Sequence, residues 1–177
     1  MKTEIYCDSA DLKTIRKLSN NSLVSGFTTN PSLMRLAGAR DYKNYSLKLL
    51  KARKGKPISL EVFGDTPEQM LEQAKIINSW GQNVYVKIPV VNSKGLFSGA
   101  VIKKLSNQGI KLNITAVYTV PQVRKILKNI NKNSKVIISI FAGRMSDVGK
   151  DPFPIIKESV HLTKKLKNVQ ILWASTR

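Results

Sequence analysis

Short apolar runs separated by amphipathic stretches set the first reading of this chain. Ile5–Asp8, Leu23–Thr28, Ile58–Val62, Val84–Ile88, Leu112–Ala116, Lys135–Phe141 and Val169–Ala174 are short and rich in β-branched residues. That composition predicts seven strands. Helices are expected over Asp11–Leu18, from Pro31, over Asp41–Lys51, from Pro67 to Ser79, and over Ser98–Asn107, Val120–Ile130 and Pro154–Leu166. Pro31 holds Asn30 extended and opens a short helix, while Thr66-Pro67-Glu68 pairs a threonine N-cap with proline at the first helical position. Strand and helix alternate throughout with short turns, which argues for right-handed βαβ units and a parallel sheet. No glycine-rich fingerprint follows the first strand and no G-x-x-x-x-G-K-[ST] occurs, so dinucleotide and P-loop folds lack support. A (β/α)₈ barrel fits better, as a single domain over residues 1–177 whose eighth strand and closing helix are missing.

Polar positions break the apolar runs in a regular way. Residues two apart on a strand share a face. Near the ends of the seven strands this pairs Tyr6 with Asp8, Thr28 with Asn30, Ser59 with Glu61, Tyr85 with Lys87, Asn113 with Thr115, Ser139 with Phe141, and Ser175 with Arg177. A packed interior would place Val, Ile and Leu there. Seven polar or charged residues at matching ends mark instead the C-terminal mouth, where barrel enzymes build their sites. Lys87 stands out because its strand, Val84–Val90, is otherwise apolar apart from Tyr85. Desolvation lowers a lysine pKa, and a neutral amine can form a Schiff base with a carbonyl. Alone, Lys87 is equally readable as a snorkelling or ion-paired side chain; the ring of polar neighbours favours the amine nucleophile.

Composition narrows the chemistry. The single cysteine, Cys7, allows no internal disulfide and suits a reducing cytoplasm; no secretory signal or membrane-length apolar run is visible. A formal charge of +19 makes anionic partners plausible. The lysines are scattered over most helices without interleaved aromatics, and A/T-rich coding would give the same excess. A solvated basic surface is therefore the plainer reading, with no specific nucleic acid as partner. The one histidine, His161, lies on a helix away from any carboxylate cluster, so neither a metal site nor a Ser-His-Asp set is expected. What remains is a lysine, the carboxylates Asp8 and Glu61, neutral amides, hydroxyls and two late arginines. That set suits carbonyl chemistry without metal or cofactor.

These residues carry a family resemblance. Asp8, Gly26-Phe27-Thr28-Thr29-Asn30-Pro31-Ser32, Val86-Lys87-Ile88-Pro89, Leu112-Asn113-Ile114-Thr115, Ser139-Ile140-Phe141-Ala142-Gly143-Arg144 and Trp173-Ala174-Ser175-Thr176-Arg177 resemble the transaldolase family, in its short bacterial and phage branch that also holds fructose-6-phosphate aldolase. The resemblance implies a class I aldolase barrel in which Lys87 forms the Schiff base and Asp8 moves the proton of the donor hydroxyl. Glu61 and Thr115 would hold a relay water, and Asn30, Asn113 and Ser139 the dihydroxyacetone unit. Arg144, Ser175 and Arg177 would hold phosphate. Transaldolases carry glutamate and phenylalanine where the aldolase carries glutamine and tyrosine, so Glu61 and Phe141 point to transfer between sugar phosphates in the pentose phosphate pathway. Release of free dihydroxyacetone, or an inactive basic protein binding polyanions, is the alternative. The resemblance also implies a cytoplasmic homo-oligomer, a pentamer or decamer, with strands one and seven left as edges by the absent C-terminal elements.

Overall fold

The structure, a computed structural model, describes residues 3–176. Its strands are β1 (Ile5–Asp8), β2 (Val24–Thr28), β3 (Ile58–Glu61), β4 (Val84–Pro89), β5 (Leu112–Val117), β6 (Val136–Ile140) and β7 (Val169–Trp173). They form one sheet in the order β1-β2-β3-β4-β5-β6-β7. The recorded pairings β1–β2, β2–β3, β5–β6 and β6–β7 are all parallel. Sequential parallel strands with intervening helices are the (β/α)₈-barrel pattern, represented here by seven strands.

The helices are α1 (Leu12–Ser19), α2 (Pro31–Leu36), α3 (Tyr42–Ala52), α4 (Pro67–Ser79), α5 (Gly99–Asn107), α6 (Val120–Leu127), α7 (Ala142–Asp147) and α8 (Phe153–Thr163). Most begin where a short polar side chain satisfies an otherwise unpaired amide. Asp11 accepts from the Thr14 amide at 2.7 Å, Asn30 from Leu33 at 2.9 Å and Asp41 from Asn44 at 2.7 Å. Thr119 and Gln122 cap α6 reciprocally. Helix α6 stops at Leu127, short of the expected Ile130, with Lys128 as its C-cap.

The chain divides into two compact units. The first runs up to Phe63 and includes Gln73–Val86. Its β2 has the burial of an interior strand, and Phe27, Ile58 and Leu60 are fully enclosed. Arg53 is buried too, and its guanidinium donates to the carbonyls of Lys56 and Gln82, tying the turn before β3 to the segment before β4. The second unit holds Gly64–Glu72 and the chain from Lys87 onward. Every residue of β6 is buried, as expected for a parallel strand covered on both faces.

One irregularity interrupts the second unit. Ile114 lies opposite Ile138, yet the next matched pair is Val117 with Ile140. Thr115 and Ala116 together therefore face Ser139 alone, and Ala116 takes a left-handed φ of 57°. This is a β-bulge of one extra residue.

Candidate active site

In the first unit, parallel register aligns the polar residues. Asp8 lies opposite Thr28, and Thr28 opposite Ser59. Opposed residues in a parallel pair point to the same face, so the three form one lateral row. The Thr28 hydroxyl donates to Asp8 Oδ1 at 2.8 Å, fixing the carboxylate's direction. Glu61 sits two residues beyond Ser59 on that face, and its carbonyl accepts from the Tyr42 hydroxyl at 2.8 Å. Tyr42 stands edge-on to Phe63, with ring centroids 4.5 Å apart, so an aromatic cluster supports the end of β3. Asn30 lies outside β2. Its side chain is committed to the N-cap of α2, so its position follows from the helix start and not from strand alternation.

The row beneath is held by close contact. Tyr6 lies opposite Gly26, where an added Cβ would come within 2.6 Å of the Tyr6 ring and 2.9 Å of the Pro57 carbonyl oxygen. Burial, then the Glu4 carboxylate, pushes the Tyr6 phenol well above its ordinary range. Cys7 points the other way from its neighbours; burial, followed by the Asp8 charge, raises its thiol pKa.

In the second unit Lys87 lies on β4, 7% exposed, one position before Ile88 and two before Pro89. Asn113 and Ser139 are buried on neighbouring strands, and the Ser139 hydroxyl donates to Asn113 Oδ1 at 2.7 Å. Thr115 is 1% exposed and its hydroxyl has no hydrogen-bond partner among the described residues. An orphaned buried hydroxyl costs about 1–3 kcal/mol unless something satisfies it. Phe141 has left β6 and is the N-cap of α7, with its ring 5.7 Å from that of Tyr118 in an edge-on contact.

Sequence reasoning did not anticipate α7, Tyr118 or Leu172. Helix α7 carries Arg144, exposed, and is joined to the end of β7 by a hydrogen bond from the Gly143 amide to the Ala174 carbonyl at 3.4 Å. That bond brings the Arg144 helix beside the segment bearing Ser175. β7 ends at Trp173, and Ser175 has a φ of 58°, so alternation along the strand does not reach it. The β7 residue level with Ser139 is Leu172. Arg177 lies outside the described residues. No three of His, Cys, Asp and Glu gather as a metal site among the described residues, and His161 is exposed on α8.

Comparison with known proteins places this arrangement. Residues 5–177 match the family Transaldolase/Fructose-6-phosphate aldolase. The chain belongs to that family. A probable transaldolase of Streptococcus agalactiae serotype V is 36% identical over 157 residues, covering 89% of this chain and 68% of that protein. One of Dehalococcoides mccartyi is 33% identical over 174 residues, covering 98% and 77%. Among solved structures, dihydrodipicolinate synthase from Rhodopseudomonas palustris is similar in fold, with a TM-score of 0.59 at 14% identity. That match covers 97% of this chain and 63% of the other, less than two thirds of its length. No helix among the described residues is long and apolar enough to cross a membrane.

Proposed function

We propose that this transaldolase-family chain acts as a transaldolase of the class I, metal-independent type. The observation that carries the reading is a buried lysine, Lys87, within Val86-Lys87-Ile88-Pro89 of a chain that belongs to this family. In the proposed reaction the Lys87 amine adds to the ketone carbon of a ketose phosphate and water leaves, forming an iminium. Asp8 takes the proton of the donor hydroxyl as the carbon–carbon bond breaks. The aldehyde fragment departs and the electron pair stays on the lysine-bound three-carbon unit, spread into the iminium. That unit attacks the acceptor aldose phosphate, whose new alkoxide takes back the proton, and water then hydrolyses the imine. Glu61 and Thr115 are assigned to the water that carries these protons. The unpartnered Thr115 hydroxyl supports this role. Asn30, Asn113 and Ser139 are assigned to the dihydroxyacetone unit, and Arg144, Ser175 and Arg177 to phosphate. Glu61 and Phe141 favour transfer over release of free dihydroxyacetone. Sedoheptulose 7-phosphate and fructose 6-phosphate are the proposed donors, in a cytoplasmic pentose phosphate pathway, with a homo-oligomer as the working form.

Borohydride added with fructose 6-phosphate should leave a reduced adduct on Lys87, located by peptide mass mapping, and Lys87→Ala protein should not be trapped. Undiminished trapping in that variant would refute the assignment. Product formed without any acceptor aldehyde would identify a dihydroxyacetone-releasing aldolase instead.

A further inference from the structure

Within the first unit, a cavity of about 370 Å³ lies beside the ends of β2 and β3. Its wall includes Pro31 and Ser32, which directly follow Asn30, and Phe63, two residues after Glu61. Arg35 of α2, Arg40 and Tyr42 complete the chemically distinctive part. The volume suits a small molecule of a few rings or fewer.

The charge in this cavity is uncompensated. Both arginines are exposed, and neither guanidinium enters a hydrogen bond or ion pair among the described residues. No carboxylate lines the cavity. The nearest acid in sequence, Asp41, has its Oδ1 engaged with the Asn44 amide at 2.7 Å as the N-cap of α3. Two guanidiniums without an acid partner favour a compact oxyanion, which each can grip through paired N–H groups. The Ser32 hydroxyl is a further donor. The remaining wall is apolar, with the rings of Tyr42 and Phe63 beside Pro31, Met34 and Ala39. Because the Tyr42 hydroxyl is bound to the Glu61 carbonyl at 2.8 Å, the tyrosine offers the cavity mainly its ring, and Phe63 meets that ring at 82°. Such flat surfaces pack well against the C–H face of a sugar, as they do against other apolar groups.

We propose that this cavity binds the phosphate monoester of a small sugar, with Arg35 and Arg40 holding the phosphate and Tyr42 and Phe63 supporting the sugar. None of its lining residues is Arg144, Ser175 or Arg177, the residues assigned to the substrate phosphate. The inference stands on the cavity lining and not on the chemistry assigned to Lys87.

The test is calorimetric titration of ribose 5-phosphate, ribose and inorganic phosphate into the full chain carrying Lys87→Ala and Arg144→Ala, which removes the proposed Schiff base and one competing cation. Ribose 5-phosphate should bind saturably and ribose should not. Adding Arg35→Gln and Arg40→Gln should weaken ribose 5-phosphate at least tenfold, and adding Phe63→Ala should weaken ribose 5-phosphate more than inorganic phosphate. A control pair that removes two charges elsewhere, Lys13→Gln and Lys17→Gln on α1, should leave the affinity within twofold. The proposal is overturned if the arginine pair has no effect, if the control pair weakens binding as much, or if no saturable binding occurs. Thermal unfolding of each variant confirms that it is folded. Because borohydride trapping on Lys87 is unaffected by these outcomes, the two readings fail separately.

Discussion

Replacing Gly26 by alanine tests the row of strands that carries Asp8. The new methyl would lie 2.6 Å from Tyr6 Cε1 and 2.9 Å from the Pro57 carbonyl oxygen, both well inside contact distance. Neither neighbour can yield freely. The Tyr6 hydroxyl is bonded to Glu4 at 3.3 Å, and the Pro57 oxygen accepts from the Phe27 amide at 2.8 Å, a bond that joins β2 to the start of β3. Overpacking of this kind costs about 1–3 kcal/mol. For a chain of this size that converts to a fall in Tm of roughly 2–12 °C. Urea titration and thermal melting of Gly26→Ala measure it. Gly81→Ala is the matched control, because its nearest neighbour is Leu50 Cδ1 at 4.0 Å and its φ is not left-handed. That substitution should be neutral or stabilising by up to about 1 kcal/mol. Removing the tyrosine ring as well isolates the contact: Tyr6→Ala with Gly26→Ala should be more stable than the sum of the single losses by about 0.5–3 kcal/mol. The Pro57 clash persists in the double variant, so recovery should be incomplete. Gly26→Ala as stable as the parent, or Gly81→Ala equally damaged, would refute the reasoning.

Three further outcomes follow from the same structure. Burial holds the phenols of Tyr42, Tyr6 and Tyr85 protonated beyond their ordinary range. Above about pH 10 the unfolded chain releases protons that the native state retains. Stability should therefore be full below pH 10 and fall as pH rises beyond it, by up to about 1.4 kcal/mol per unit for each phenol and less for the partly exposed Tyr6, as urea midpoints across pH 9–12 would show. Ser139→Ala leaves the Asn113 Oδ1 without its 2.7 Å donor in a buried setting and should cost about 1–3 kcal/mol by denaturant titration. Thr119→Ala removes half of the α6 capping box and should cost about 0.5–2 kcal/mol, with faster amide exchange in the first turn of that helix as the local sign.

Alternation of period two is what made part of the site readable from sequence. Inside strands it works: Asp8, Thr28 and Ser59 share one row because parallel register carries parity from strand to strand. Past a strand's end the rule has no force. Asn30 and Phe141 are placed by helix starts, and Ser175 by a left-handed residue beyond β7. Helix α7 escaped notice because Ala142-Gly143-Arg144 has no apolar period and Phe141 supplies no side-chain cap. Its anchors are long-range backbone bonds, from Phe141 to Val117 at 3.0 Å and from Gly143 to Ala174 at 3.4 Å, which leave no mark on local composition. Gly26 offered no turn signal either, since what it needs is space for a ring on the next strand. The cavity at Arg35 and Arg40 was equally silent, because two arginines five positions apart become neighbours only through the turn between α2 and α3.

Ala116 shows how one extra residue can change the counting along a strand while the residues on either side keep their partners. Deleting that residue would restore a continuous ladder between β5 and β6, and by the usual measure of sheet regularity the strand would be improved. Val117 would still lie opposite Ile140 and keep its place in the core, and Tyr118 its place beside Phe141, because the extra residue is absorbed between two matched pairs. The bulge thus works as a phase adjuster, letting one strand satisfy two different countings, one for Asn113 and Thr115 and another for the loop that follows. Deletion of Ala116 should therefore be tolerated better than deletion of Val117, which would remove the buried residue matched to Ile140.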